Sequence, residues 1–428
     1  MSSSHIIIVA VGSLGDLHPY LAIGKELKRR GHQITFVTIS HYQKKVERAG
    51  LNFALTRPDF SPNDKETLQL VNDRFRGGEW VFRKFVIPHI RDSYEDLNRA
   101  CENADLLISH PITQAAPIVA AKRKMPWIST VLSPISFFSC YDPPVMPALP
   151  FLRGWHLGPK FYHHFFNLIR SIMNRWCEPV YQLRESLGLE RGRNPILEGQ
   201  HSPDLVLAWY SSLLGEPQID WPKQTVMTGF IFYEEENQSM TQQKELETFL
   251  AQGEAPIVFT LGSSRVHTPG IFFEESLVAA QQLGLRAIIL AGEQANALRA
   301  TWHFSSFYIT DYLPHSKIFP HAKIIVHQCG IGTTAQALLA GKPMLAVPQA
   351  HDQPDNAYRL EKLGVAKVLP HHQYRRKKVI KKLECLIKHY LSFLKQSTAA
   401  QKQILSENGT QTTCDQVEAY LRRKKQNI

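Results

Sequence analysis

The chain alternates between short apolar runs and longer segments whose apolar residues recur at helical spacing. Ile6-Ile7-Ile8-Val9-Ala10-Val11 has no polar member, the composition of a strand covered on both faces. Pro19 to Arg30 then carries Tyr20, Ile23 and Leu27 at helical intervals, and Ile34 to Thr38 returns to a strand pattern. Asp105 to Ser109 and Trp127 to Val131 continue the alternation. Strands separated by helices in this way predict parallel pairing through right-handed crossovers. A second set follows, with strands expected at Ile257 to Leu261, Ala287 to Leu290, Ile324 to His327 and Met344 to Val347. The predicted class is α/β, with two halves alike in architecture and no short-period repeat.

Between the halves, Tyr233-Glu234-Glu235-Glu236-Asn237-Gln238 is polar, acidic and without periodicity, so it reads as a linker. The expected organisation is a first domain over 1–232, a linker over 233–250, a second domain over 251–400 and a basic C-terminal helix over 401–428. At 428 residues and 43% hydrophobic content, the chain can fill two or three ordinary cores.

Charge adds one feature. The net charge is +11, and from His371 to Ile428 there are 13 Lys and Arg against 4 Asp and Glu. Arg375-Arg376-Lys377-Lys378 and Arg422-Arg423-Lys424-Lys425 are the dense points. Such runs are either solvated helix faces or peripheral contacts with an anionic membrane leaflet. Nucleic-acid binding is not expected, because no recognised module or interleaved aromatic pattern accompanies the charge. Six cysteines stand at 101, 140, 177, 329, 385 and 414 without C-x-x-C spacing, which suggests neither a disulfide framework nor a zinc site. The start Met1-Ser2-Ser3-Ser4-His5 lacks the basic lead and apolar core of a signal peptide. No stretch approaches the roughly 18 apolar residues of a spanning helix. A cytoplasmic protein is expected, with peripheral contact at the inner membrane face left open.

The densest chemistry lies late in the chain. Lys323-Ile324-Ile325-Val326 reads as a strand and Ala335 to Ala340 as a helix, with His327-Gln328-Cys329-Gly330-Ile331-Gly332-Thr333-Thr334 between them. Glycines at a strand-to-helix turn let backbone amides approach an anion, and the helix start favours a phosphate. Tight packing alone also accounts for a lone G-x-G. Here a further strand, Pro343 to Pro348, leads to Asp352-Gln353. A carboxylate and an amide at a strand's carboxyl end suit the hydroxyls of a hexose.

These residues resemble the donor block H-x-G-G-x-G-T followed by D-Q-x-x-N of the family 1 and family 28 glycosyltransferases of GT-B fold. The resemblance extends over nearly the whole sequence, through Gly12-Ser13-Leu14-Gly15-Asp16-Leu17-His18-Pro19, Trp221-Pro222, Thr228-Gly229-Phe230 and Phe259-Thr260-Leu261-Gly262-Ser263-Ser264. Within the family the protein is most similar to the branch of the rhamnosyltransferase B subunit, with sterol glucosyltransferases and antibiotic glycosyltransferases more distant. The implied fold is GT-B, two Rossmann-like parallel-sheet domains facing a central cleft. One departure stands out. The histidine that precedes the paired glycines in most members is Gln328 here, His327 lies one residue earlier, and Cys329 replaces the first glycine. Both His327 and Gln328 remain candidates for the diphosphate, with a core role open for His327.

The resemblance implies donor contacts from Ser263, Gly330, Ile331, Gly332 and Thr333 to phosphate, and from Asp352, Gln353 and Asn356 to the sugar side. Tyr312-Leu313-Pro314-His315 stands where relatives carry W-x-P-Q, so Tyr312 would stack on the base with Leu313 beside it, unless Tyr312 is a core residue. Plant members have a histidine in the position of Asp16, while sterol and antibiotic branches have aspartate. Asp16 is therefore the candidate general base, with an N-cap role as the alternative. His18, His110, Phe137 and Phe138 are acceptor-side candidates. The aromatic, basic segment from Pro143 to Arg175 would line an apolar acceptor cleft, lie on a membrane or pack between helices. The expected activity is inverting, metal-independent transfer of a hexose or deoxyhexose from a UDP- or dTDP-sugar to a hydroxyl of a lipid-like or small hydrophobic acceptor. The nucleotide sugar is a co-substrate, and no cofactor is expected. The competing expectation is a non-catalytic GT-B scaffold or activator that binds nucleotide or lipid.

Overall fold

The computed structural model describes residues 3–61, 64–149, 155, 157–234, 240–263 and 265–426. Among the described residues the first half, or front lobe, holds seven strands: β1 His5–Val9, β2 Gln33–Thr38, β3 Asn52–Leu55, β4 Leu106–Ser109, β5 Trp127–Val131, β6 Val206–Ala208 and β7 Thr225–Met227. They pair in the order β3-β2-β1-β4-β5-β6-β7, and every pairing is parallel. The rear lobe holds β8 Ile257–Thr260, β9 Ala287–Leu290, β10 Phe307–Thr310, β11 Ile324–His327, β12 Met344–Ala346 and β13 Ala366–Val368. Their order is β10-β9-β8-β11-β12-β13, again all parallel. The GT-B class expected from the sequence is thus present. Ile6, Ile7, Ile8, Val258, Phe259, Ile324 and Ile325 are fully buried, as strands with helices on both faces require.

Strand order fixes where ligands can enter. It reverses at β1, between β2 and β4, and at β8, between β9 and β11. A crevice opens at such a switch point beyond the carboxyl ends of the strands. The turns after β1 and β4 flank the front crevice, and those after β8 and β11 flank the rear one. Among the helices that line these crevices are α1 Leu14–Arg29, α2 Gly158–Trp176, α3 Ile331–Ala340 and α4 Gln353–Lys362, while α5 Gly409–Gln426 packs against α1 away from them.

Two sequence expectations change here. The first helix begins at Leu14 rather than Pro19, because Ser13 adopts an extended N-cap and Asp16 closes a capping box with it. Pro19 therefore lies inside the helix, and Asp16 sits in its first turn. Residues 240–250 of the stretch expected as linker belong to the helix Met240–Ala251, whose Leu246 and Phe249 enter the core shared by the two lobes. Residues 235–239 of that stretch lie outside the described residues.

The C-terminal region returns to the front lobe. The helix Tyr390–Ser406 packs on α3, where Gln401 Nε2 donates to the Leu339 carbonyl at 2.8 Å. Helix α5 then buries Cys414, Val417, Tyr420 and Leu421 in the front core. Arg30 clamps it through Asp415 at 2.6 Å and Glu418 at 3.0 Å. Among the described residues no helix is long and apolar enough to cross a membrane.

Candidate active site

A cleft of about 1670 Å³ lies between the lobes and is lined from both. On its front wall, Asp16 Oδ2 accepts from the Ser13 backbone N–H at 2.8 Å and from the Ser13 hydroxyl at 2.9 Å. The other oxygen, Oδ1, lies 3.4 Å from His110 Nε2. His110 follows β4 and Asp16 follows β1, so the topological switch brings the two together. His110 Nδ1 accepts from the Ile112 backbone N–H at 3.1 Å. In neutral His110 the proton must then sit on Nε2, the nitrogen nearer Asp16. Burial raises the Asp16 pKa, but the hydrogen bond and charge of His110, with the Ser13 contacts, outweigh it and hold Asp16 below the usual carboxylate range. Of the two roles weighed for Asp16, the N-cap itself falls to Ser13: Asp16 is the third residue of the helix and returns the capping-box bond through Oδ2, while Oδ1 faces His110. Gly12 makes this possible: its φ is +137°, and a Cβ there would stand 2.5 Å from Asp16 Oδ2.

The rear wall has the opposite character. Gly330 is the N-cap of α3, and Gly330, Ile331, Gly332 and Thr333 line the cleft with Ser263. A Cβ placed on Gly332 would lie 4.0 Å from Gly15 Cα, so the start of α3 meets the Asp16 turn almost directly. Gln328 also lines the cleft, is 4% exposed, and has no hydrogen-bond partner for Oε1 among the described residues. Its Nε2 fills the space that a side chain on Gly262 would need, 1.9 Å from the ideal Cβ.

His327 points the other way. It is 0% exposed, does not line the cleft, and its Nδ1 accepts from the Cys329 N–H at 3.2 Å. Burial and the nearby His315 push its pKa down to about 3, so it is a neutral core histidine. Its bond steadies Cys329, which holds φ +68° where relatives have glycine. Asn356 completes that support, donating to the Cys329 carbonyl at 2.9 Å and to Asp352 Oδ2 at 2.7 Å.

Several other candidates separate in the same way. Tyr312 is 59% exposed and lines the cleft, as do Asp352, Gln353, His18, His110 and Phe138. Leu313, Asn356 and Phe137 do not. Leu313 belongs to the apolar core, because alternation along Tyr312-Leu313 sends the second side chain inward. Phe137 stacks on Trp221 at 4.0 Å, and the next residue, Phe138, turns away with φ +47°. Burial raises the Asp352 pKa to about 7, against the hydrogen bond from Asn356 and with a further upward push from the charge of Asp16. The two carboxylates thus sense each other across the cleft.

Sequence reading missed the fastening of α4. Arg359, 6% exposed, donates to Asp355 at 2.8 Å, to Asp142 at 2.6 Å and to the Leu214 carbonyl at 2.7 Å. Asp355 also accepts from the Val145 N–H at 2.9 Å. The helix that begins at Gln353 is therefore bolted to the front lobe. Gln349 Nε2 reaches the Asn72 carbonyl at 3.1 Å on another front-lobe segment. The i, i+4 spacing of Asp355 and Arg359 was a readable signal.

Residues 6–85 match the glycosyltransferase family 28 N-terminal domain, and residues 278–418 match the erythromycin biosynthesis protein CIII-like C-terminal domain. The chain is 28% identical over 381 residues to O-mycaminosyltylonolide 6-deoxyallosyltransferase of Streptomyces fradiae, covering 84% of each. It is 24% identical to the sterol 3-beta-glucosyltransferase of Vanderwaltozyma polyspora, over 94% of this chain but only 33% of that longer protein. Among solved structures, the calicheamicin glycosyltransferase CalG4 aligns with TM-score 0.72 at 18% identity over 99% of both chains. Spinosyn rhamnosyltransferase SpnG complexed with thymidine diphosphate aligns with TM-score 0.68 at 16% identity, over 97% of this chain and 100% of that one. Fold, site and relatives define a glycosyltransferase of the GT-B type acting on nucleotide sugars. Within that class, the chain is similar to the family 28 N-terminal domain in its first half and to the CIII-like C-terminal domain in its second.

Proposed function

We propose that the enzyme transfers a hexose or deoxyhexose, with inversion, from a UDP- or dTDP-linked donor to a hydroxyl of a hydrophobic, lipid-like acceptor. One observation carries this reading: the Asp16–His110 pair and the amide-rich start of α3 face each other where Gly15 and Gly332 nearly touch. The acceptor hydroxyl gives its proton to Asp16 Oδ1 while its oxygen bonds to the anomeric carbon. The bond from that carbon to the diphosphate breaks, and its electron pair leaves on the phosphate oxygen. Base and leaving group on opposite lobes favour attack from the face away from the diphosphate, hence inversion.

Amides at the start of α3, the Thr333 hydroxyl, Ser263 and the Gln328 amide offset the leaving-group charge without a metal. Asp352 and Gln353 orient the sugar, and Tyr312 stacks on the base. Gln353 Oε1 is itself held by the Gln349 and Ala350 backbone N–H groups at 3.0 and 3.3 Å, which leaves its amide nitrogen for the sugar. The proposed acceptor side is His18, Phe138 and the apolar wall that includes Ile169 and Met173. The proposed setting is the cytoplasm, with peripheral contact at a membrane.

The test is a thermal-shift screen of UDP, dTDP and their sugars, followed by incubation of the best donor with lipid extracts and NMR of the product. A product of inverted anomeric configuration, formed at an undiminished rate with chelator present, is expected. A retained configuration or a chelator-abolished rate contradicts the mechanism.

A further inference from the structure

We propose that the exposed face of α2 is a membrane-docking surface that seats the acceptor end of the cleft on an anionic bilayer, so that the acceptor enters directly from lipid. Leu157, Phe161, Phe165, Leu168 and Ile172 recur every three or four residues, which gathers them into one stripe along the helix. Leu157, Phe161, Leu168 and Ile172 are 41 to 62% exposed, and the Phe161 and Phe165 rings run parallel at 6.2 Å. Such a stripe on an otherwise well-packed domain is unusual unless something covers it.

Two features favour a bilayer as the cover. From Pro143 to Cys177 the sequence contains no aspartate or glutamate, while Lys160, Arg170 and Arg175 lie on the helix with His163 and His164. Arg170 is engaged by Glu198 at 2.8 Å, which leaves Lys160 and Arg175 to flank the apolar stripe. An apolar stripe with cationic flanks is the composition of a helix lying in the interface of an anionic membrane. The stripe is also continuous with the cleft. Ile169, Ile172, Met173 and Trp176 on the same helix line it, as does Phe75, itself 64% exposed. An acceptor leaving the bilayer beside α2 would pass from lipid to an apolar wall without crossing water.

The basic C-terminal run is the other candidate for membrane contact, and its position argues against it. Lys425 reaches Ser4 at 3.1 Å and Lys424 pairs with Asp204 at 3.0 Å. Ser4 precedes β1, at the amino edge of the front sheet, whereas the cleft opens at the carboxyl edge. A membrane held by that tail would face away from the cleft mouth.

The proposal rests on the lipid-acceptor reading above, and its test is separable from it. The full chain is sedimented with vesicles of phosphatidylcholine alone or of equimolar phosphatidylcholine and phosphatidylglycerol. Binding to the mixed vesicles is expected. Phe161→Ser with Leu168→Ser, neither residue lining the cleft, should weaken it about tenfold or more. Lys160→Gln with Arg175→Gln should remove only the preference for the anionic vesicles. Thermal shift by the nucleotide should be unchanged in both. Undiminished vesicle binding by the apolar variant overturns the proposal. So does a parent that ignores vesicles but forms a dimer, by light scattering, that the apolar variant abolishes, because a second copy then covers the stripe. A failed nucleotide response in the parent would instead count against the transferase reading.

Discussion

The turn after β1 and the turn after β11 hold equivalent places at the switch points of two parallel sheets, yet they obtain their electrostatics from different sources. In the front turn the third helical residue is Asp16, a carboxylate kept ionised by His110 and by the cap of its own helix. In the rear turn the corresponding stretch is Gly330 to Thr333, with no charged side chain, so the backbone amides and the helix dipole are what the turn offers the cleft. In the proposed mechanism the same strand-turn-helix unit serves proton acceptance in one lobe and anion binding in the other. A few side chains in the first helical turn make the difference.

The largest expected effect breaks that comparison at its front half. Asp16→Asn keeps the helix cap but removes the proton acceptor, and steady-state turnover should fall by about 10²- to 10⁴-fold. Next is the fastening that holds the two turns in register. Arg359→Met leaves Asp142 and Asp355 without their cation and should cost about 3–5 kcal/mol in urea unfolding, with a raised donor KM in the protein that remains folded.

His110→Gln comes third, with turnover reduced by about tenfold and a shift of known sign. His110 lowers the Asp16 pKa, and the base acts when ionised. Removing His110 lets that pKa rise, so the acid limb of kcat moves to higher pH. The profile is measured at saturating donor, where Asp352 is already engaged. An acid limb that stays in place would detach His110 from the base.

The smallest pair sharpens the rear half. Gln328→Ala should raise donor KM by up to about tenfold and leave the unfolding midpoint nearly unchanged, whereas His327→Leu should cost about 1–2 kcal/mol of stability with KM unmoved. The reverse assignment of effects would show that His327 is the residue serving the diphosphate.

The pairing of lobes and the strands β1, β2, β4, β5, β8, β9, β11 and β12 were legible in the sequence because each is a mainly apolar run between turn residues, whereas β3, β6, β7, β10 and β13, at the outer positions of the sheets, were not read. The strand-to-helix turn after β11 and its place at the cleft were legible because glycines, threonine and the later acid-amide pair occur in fixed order. The start of α1 was missed because Pro19 outweighed the Ser13–Asp16 capping signal. The choice between His327 and Gln328 was not readable, since His327 ends its strand and alternation gives no direction beyond that point. Phe137 and Phe138 posed the same problem, and only the left-handed backbone at Phe138 separates them. The pairing of Arg359 with Asp142 joins residues 217 positions apart, a separation at which sequence pattern carries no contact information.

The division of labour between lobes is tested most directly by calorimetric titration of Asp16→Asn with the nucleoside diphosphate that binds the parent best. An unchanged Kd beside lost turnover is the expected result, because the rear turn grips the diphosphate without help from Asp16. A Kd weakened by about tenfold or more, equivalent to 1.4 kcal/mol or more of binding free energy, would contradict it and make Asp16 part of the donor site.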